Sequence, residues 1–128
     1  MNRAELLQRL EELDFPKEDY WLITGGAMVL YGIREQTGDI DLGCTKRLSE
    51  ALQAQGCPVK IMPDGTRRIE FAEDVELFEN WRHDRVERLD GVPVISLQGI
   101  IAMKRQLGRE KDLRDIELIE KYMQERGR

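Results

Sequence analysis

Two aspartates separated by a single residue, Asp39 and Asp41, have the type and spacing that best suit chemistry in this sequence. Alternate side chains of a β-strand project to the same face, so a strand over DIDL would present both carboxylates together, with Cα atoms about 6.5–7 Å apart. Ile40, between them, would point into the core. Hard carboxylate oxygens suit Mg²⁺, and two such ions can clamp the attacking and leaving oxygens of a phosphoryl displacement. The pair therefore predicts a shared site for two divalent cations.

A glycine pair, Gly25-Gly26, precedes the acids and lies between the β-rich segment YWLIT and the short apolar segment AMVLYGI. Glycine has no Cβ, so a ligand can approach its backbone closely, and the N–H groups that open the next helix carry the positive end of its dipole. A strand, turn, helix and strand in this order would place a phosphate cradle beside the acids. The glycine pair alone is a weak signal, and its spacing from the acids is the stronger one.

At these residues the sequence resembles the DNA polymerase beta-like nucleotidyltransferase superfamily, in particular its small bacterial members, the minimal nucleotidyltransferases. The family pattern is a G-G or G-S turn, a helix and a D-x-D strand, and the tail ISLQGIIAMKRQLGREKDLRDIELI resembles the family's C-terminal helical pair. The stretch G-x-R-x-x-T-x-D-x-D of many small members is matched by Gly32, Arg34, Thr37, Asp39 and Asp41. The resemblance implies Mg²⁺-dependent transfer of a nucleoside monophosphate from an NTP, with ATP as the expected donor, to a hydroxyl on a small molecule, protein or RNA.

The resemblance also implies a third carboxylate on a neighbouring strand, which would complete the metal site and orient or deprotonate the attacking hydroxyl. Glu76, in VELF, is the candidate, and Glu70, in RIEF, is the alternative. The family more often has the shorter Asp at this place. Ala27 follows the glycines where G-S variants have a serine. These two departures favour a second hypothesis, a catalytically degenerate fold that acts as a binding or antitoxin-like regulatory module.

Several other polar and charged residues would take part in the same phosphate chemistry, and a purely structural role is the alternative for the charged ones. Arg34 and Thr37 would supply a cation and a hydroxyl beside the acids, or Arg34 would form an ion pair with an aspartate. Lys104 is on the apolar stripe of a predicted helix, where it would meet a triphosphate or carboxylate in the cleft, or extend its stem along the edge of the core. The charged group Arg109, Lys111, Asp112 and Asp115 is expected to form caps and i,i+3 pairs between two helices, with a substrate-side role as the alternative.

The composition narrows the class of protein. The chain has 128 residues, 41% hydrophobic and 35% charged, which predicts one soluble globular domain over residues 1–128. The net charge of −5 argues against a broad nucleic-acid surface, so phosphate recognition would be local. No apolar run suits a bilayer or a signal peptide, and a cytoplasmic location without membrane contact is expected. Cys44 and Cys57 are isolated and indicate neither zinc nor a disulfide, and His83 is expected on the surface.

The element pattern predicts an α/β (α+β) fold, a small mixed sheet of four or five strands flanked by helices. Asn2, Thr45 and Ser96 are the predicted N-caps of three helices, with Gly108 ending the third, and a final helix runs from about Asp112 to Met123. The predicted extended segments are 20–24, 39–42, 59–62, 66–71, 75–78 and 92–95. No separate segment is available to bind an acceptor, so a second copy of the chain or a partner protein would supply that surface.

Overall fold

The computed structural model describes residues 1–82 and 84–126, and the expectation for His83 lies outside them. A mixed β-sheet with helices forms the described part of the chain. The helices are α1 (Arg3–Leu13), α2 (Thr24–Tyr31), α3 (Lys46–Ala54), α4 (Leu97–Leu107) and α5 (Glu110–Glu125). The strands are β1 (Tyr20–Leu22), β2 (Ile40–Cys44), β3 (Val59–Ile61), β4 (Arg67–Ala72), β5 (Val75–Glu79), β6 (Val86–Leu89) and β7 (Val92–Ile95).

The strands pair in the order β3-β4-β5-β2-β1-β7-β6. The pairs β2–β5 and β1–β7 are parallel, and the other neighbours are antiparallel. The mixed α/β class is thus confirmed, whereas the prediction of four or five strands is wrong, because the described residues form a seven-stranded sheet.

The strand that sequence patterning missed is β6, a half-exposed edge strand with the sequence VERL. Within the described residues, β6 pairs with a single neighbouring strand, β7. The signal for it was the turn: Asp90 and Gly91 both have positive φ, and an Asp-Gly pair is typical of the tight turn that joins two hairpin strands. A weakly apolar strand therefore forms because its hairpin partner is fully buried.

The predicted caps are confirmed. Asn2 and Glu5 form a reciprocal capping box at α1, the hydroxyls of Thr45 and Ser96 accept backbone N–H groups at α3 and α4, and Gly108 ends α4 with φ of 63°. The last helix begins at Glu110, two residues before its predicted start. None of the helices in the described ranges is long and apolar enough to cross a bilayer.

In β2, β4 and β5, the fully buried residues lie on one face of the sheet. Ile40, Leu42, Ile69 and Leu77 are fully buried, and α2 and α3 pack against their strands. Alternation then places the intervening residues of β2, β4 and β5 on the opposite face. Asp41, Glu70 and Glu76 are on that second face.

Candidate functional site

A cleft of about 980 Å³ lies over the second face of the sheet. Its floor comes from β2, β4 and β5, and its walls come from the start of α2, the loop before β2, and the α4–α5 pair. Every site residue predicted from the sequence lines it, except Gly26 and the alternative acid Glu70. The lining residues among the predicted ones are Gly25, Arg34, Thr37, Asp39, Asp41, Glu76 and Lys104.

Asp41 and Glu76 are register partners in the parallel pair β2–β5, so their side chains leave the same face of neighbouring strands. Asp41 is half-buried, whereas Asp39 is exposed and immediately precedes β2. Burial raises the pKa of Asp41 to about 6, and repulsion from Asp39 and Glu76 adds to the effect. The three predicted carboxylates therefore interact through space.

The register decides between the two candidates for a third carboxylate. Glu70 is opposite Glu76 on β4, but it is turned to the edge of the sheet, where Lys60 Nζ lies 3.1 Å from its Oε1. That hydrogen bond, with the positive charge of Arg68, lowers the pKa of Glu70. Only Glu76 lines the cleft, so the arrangement favours Glu76.

Glu76 already has a partner. The Nε atom of Arg68, a side chain from β4, lies 3.3 Å from Glu76 Oε2, and its Nη2 lies 3.5 Å from Glu70 Oε1. Among residues 1–82 and 84–126, no group of three or more Asp, Glu, His or Cys side chains is arranged to hold a metal ion. The donor chemistry of Asp39 and Asp41 suits Mg²⁺, but Glu76 would have to leave Arg68 to join them.

The glycine pair differs from its prediction. Helix α2 begins at Thr24, so Gly25 and Gly26 lie in its first turn rather than in a turn before it. A Cβ on Gly25 would lie 2.8 Å from the Thr37 hydroxyl, and one on Gly26 would lie 2.9 Å from Leu22 Cδ1. The missing side chains therefore make room for the protein's own residues, while the Gly25 backbone still borders the cleft.

Thr24 is, with Arg68, among the cleft residues that the sequence pattern did not indicate. Its hydroxyl donates a hydrogen bond of 3.0 Å to Asp41 Oδ2. Its φ is 51°, in the left-handed region, where a non-glycine residue is disfavoured by about 1–2 kcal/mol. The family resemblance implies a hydroxyl after the glycines, where this chain has Ala27, whereas the structure has one immediately before them, on Thr24.

The wall opposite the acids is an alternating chain of charges. Lys104 is buried, and its Nζ lies 2.9 Å from Asp115 Oδ2 and 3.7 Å from Asp112 Oδ1. Arg34 Nη2 lies 2.7 Å from the other oxygen of Asp115, and Arg109 Nε lies 2.6 Å from Asp112 Oδ2. The ion-pair alternative for Arg34, the carboxylate partner for Lys104 and the i,i+3 pair of Arg109 are thus confirmed.

Both acids of this wall are paired with cations within the protein. Burial by itself would raise the pKa of Asp115, but the hydrogen bonds and charges of Lys104 and Arg34 hold it below its usual value. Lys111 and Arg114 also line the cleft and are exposed, and within the described residues neither makes an ion pair. Unlike Lys104, Arg34 and Arg109, they are not engaged with Asp112 or Asp115 in the described residues.

An aromatic group borders the floor beside the acids. Phe78 and Trp81 line the cleft with ring centroids 5.1 Å apart, and Trp21 Nε1 donates to the Trp81 carbonyl at 3.0 Å. All three are buried, as expected for residues at the rim of the core. They fix the loop after β5 against the sheet.

Comparisons of the chain with protein-family models, with curated proteins and with solved structures find no match.

Proposed function

We propose that this chain is a Mg²⁺-dependent nucleotidyltransferase that moves a nucleoside monophosphate from an NTP, with ATP as the expected donor, to a hydroxyl acceptor. The observation that carries the proposal is the register pairing of Asp41 with Glu76 on the floor of a cleft that Asp39 also lines. Carboxylates side by side on adjacent strands repel each other, and a divalent cation bound between them would relieve this repulsion. The resemblance of the GG…D-x-D segment to nucleotidyltransferases supports the same assignment.

The proposed reaction is a displacement at the α-phosphorus. The acceptor oxygen forms a bond to this phosphorus, the bond to the oxygen bridging the α- and β-phosphates breaks, and pyrophosphate leaves. The acceptor proton passes to a carboxylate, for which Glu76 is the candidate base. Mg²⁺, when bound, neutralises phosphate charge and polarises the phosphoryl oxygens, with Asp39, Asp41 and Glu76 as its expected ligands.

The remaining residues bind and orient the triphosphate. Lys104 and Arg34 each keep N–H groups beyond those they give to Asp115, and both line the cleft. Because Asp115 fixes their positions, they need little reorganisation when an anion arrives. The Thr37 hydroxyl and the Gly25 backbone complete the proposed nucleotide-binding group.

A second candidate is a degenerate nucleotidyltransferase fold that binds a partner without catalysis. The observation that favours it is the contact of Arg68 with Glu76, which gives the third carboxylate a protein cation. If this pair is permanent, Mg²⁺ finds only two carboxylates. The two candidates therefore differ in their response to metal and nucleotide.

The test is the thermal unfolding of the full chain with Mg²⁺ and a nonhydrolysable ATP analogue, followed by analogues of the other NTPs. The transferase proposal expects the midpoint to rise, by an amount equivalent to about 2.7 kcal/mol when the ligand is at about 100 times its Kd. Asp39→Asn and Asp41→Asn should each abolish the rise.

Glu50→Gln, an exposed acid on α3, is the matched control and should keep the full response. A midpoint that does not move with any NTP and metal would reject the transferase and support the binding module.

A further inference from the structure

We propose that Thr24 is a positioning residue that fixes the orientation of the Asp41 carboxylate, an inference that rests on the proposed cation site. Thr24 itself does not need to touch the cation or the nucleotide. Its hydroxyl holds one oxygen of Asp41 so that the other stays directed to the cleft.

The first support is that Asp41 is held at two points by consecutive residues. The Ile23 N–H donates to the Asp41 carbonyl at 3.1 Å, and the Thr24 hydroxyl donates to Oδ2 at 3.0 Å. Within the described ranges, Thr24 is the hydrogen-bond donor of this carboxylate, and Oδ1 has none. One oxygen is therefore fixed by the protein, and the other is left for a ligand.

The second support is the backbone of Thr24. Its φ of 51° suits glycine, and a β-branched residue in this region is a genuine outlier. Glycine follows at positions 25 and 26, yet the strained position has a threonine. The feature that glycine would lack is the hydroxyl, so the strain is best explained by the hydrogen bond to Asp41.

The third support is the charge around Asp41. Asp39 and Glu76 both repel its carboxylate, and the terminal torsion of an aspartate is broad and easily turned. Without a donor on Oδ2, the carboxylate would rotate to reduce this repulsion. The Thr24 hydrogen bond opposes that rotation before any cation is present.

The experiment compares Thr24→Val, Thr24→Ser and Thr24→Gly, using Mn²⁺ alone as the probe and electron paramagnetic resonance to count free ions. Thr24→Val keeps the branched shape of the side chain without the hydroxyl. We expect the Mn²⁺ affinity of this variant to be about tenfold or more below that of the wild type, as for the loss of a residue that orients a metal ligand. Thr24→Ser keeps the hydroxyl and should have most of the wild-type affinity. Thr24→Gly should bind Mn²⁺ as weakly as Thr24→Val. It should nevertheless unfold at a higher temperature than Thr24→Val, because the backbone strain is gone.

Thr45→Val is the matched control, because it makes the same change at the N-cap of α3. It removes the hydrogen bond that the hydroxyl accepts from the Leu48 N–H and the one that it donates to Asp19. It should lower the unfolding temperature and leave Mn²⁺ binding unchanged. If the wild-type chain binds no Mn²⁺, the cation site is absent and both proposals fail. If the wild type binds and Thr24→Val binds equally well, or if serine fails to restore binding, the Thr24 proposal alone is overturned.

Discussion

Gly43 is the residue on which the aromatic border of the cleft depends. It follows Asp41 by two positions on β2, so both residues are on the same face of the sheet. Its register partner is Trp21 on β1. A Cβ at this position would lie 1.9 Å from Trp21 Nε1. The indole therefore occupies the space that any other residue would fill.

We expect Gly43→Ala to lower the free energy of unfolding by about 2–3 kcal/mol, because the buried indole must shift and its hydrogen bond to the Trp81 carbonyl is strained. Urea denaturation measures the loss.

Gly38→Ala is the control, since a Cβ there meets nothing within 4 Å and the residue does not have positive φ. This variant should stay within about 0.5 kcal/mol of the wild type. Equal losses for the two variants would show that the contact with Trp21 is not the cause.

At the scale of elements, β3, β4 and β5 have a ladder of alternating charges across the second face of the sheet. Lys60 pairs with Glu70, Arg68 lies between Glu70 and Glu76, and Glu76 is beside Asp41 on β2. This series of charges extends from the edge of the sheet to the floor of the cleft, where the guanidinium of Arg68 lies beside Glu76. Arg68 thus acts as the internal counter-ion of the third carboxylate.

Arg68→Gln should tighten the binding of Mn²⁺ alone, because Glu76 loses a competing cation. A partly exposed ion pair is worth up to about 1 kcal/mol, which corresponds to a gain of up to about fivefold in affinity. The measurement is a titration with Mn²⁺ in the absence of nucleotide.

The neighbouring Arg67 alternates to the other face of β4 and lies 3.8 Å from Glu79. Arg67→Gln has the same loss of charge and should leave Mn²⁺ binding unchanged. Weaker binding by Arg68→Gln would show that Arg68 supports the acid group rather than competing for it.

Local patterns explain which elements were predictable. The caps of α1, α3 and α4 are set by hydroxyl, amide and glycine residues next to apolar stripes, so their positions follow from the sequence. The glycine pair was placed before α2 because glycine usually marks a turn, but its role is close packing against Thr37 and Leu22. The contact of Gly25 with Thr37 joins residues that are separated by the rest of α2 and a loop, so it has no local signal.

At the scale of the whole molecule, one buried acid gives stability an acid-dependent component. Asp19, next to β1, accepts hydrogen bonds from Arg47 and Thr45. The bond from Arg47, with that from Thr45, lowers the pKa of Asp19 below its ordinary value of 3.8. The interaction therefore contributes fully above about pH 4 and is lost as the pH falls through the lowered pKa.

Asp19→Asn should be less stable than the wild type at neutral pH, and the difference should shrink as the pH falls below about 4. Urea midpoints measured across this range give the difference directly. The other acids with lowered pKa are present in both proteins, so their contributions cancel. A difference that stays constant down to about pH 2 would show that protonation of Asp19 is not responsible.

Part of the cleft lining could be anticipated from the sequence. Strand alternation put Asp39 and Asp41 on one face, although Asp39 lies just before β2, and the family resemblance, rather than the pattern alone, favoured Glu76 over Glu70. The sequence does not show which strands are neighbours. The pairing of Asp41 with Glu76, and the contact of Glu76 with Arg68, could therefore be seen only in the folded structure. The partners of Lys104 were equally hidden, because they belong to a different helix.

The interior position of β1, between β2 and β7, has a consequence for how the chain reaches its native state. Leu22 of β1 pairs with Val94 of β7, a strand that is synthesised after all of β2 to β6. On the ribosome, five strands can associate while one side of β1 still exposes unpaired amide and carbonyl groups, a known template for intermolecular association. Closure of that ladder must wait until β7 has been synthesised, so a period in which this edge is open to intermolecular association is built into this topology.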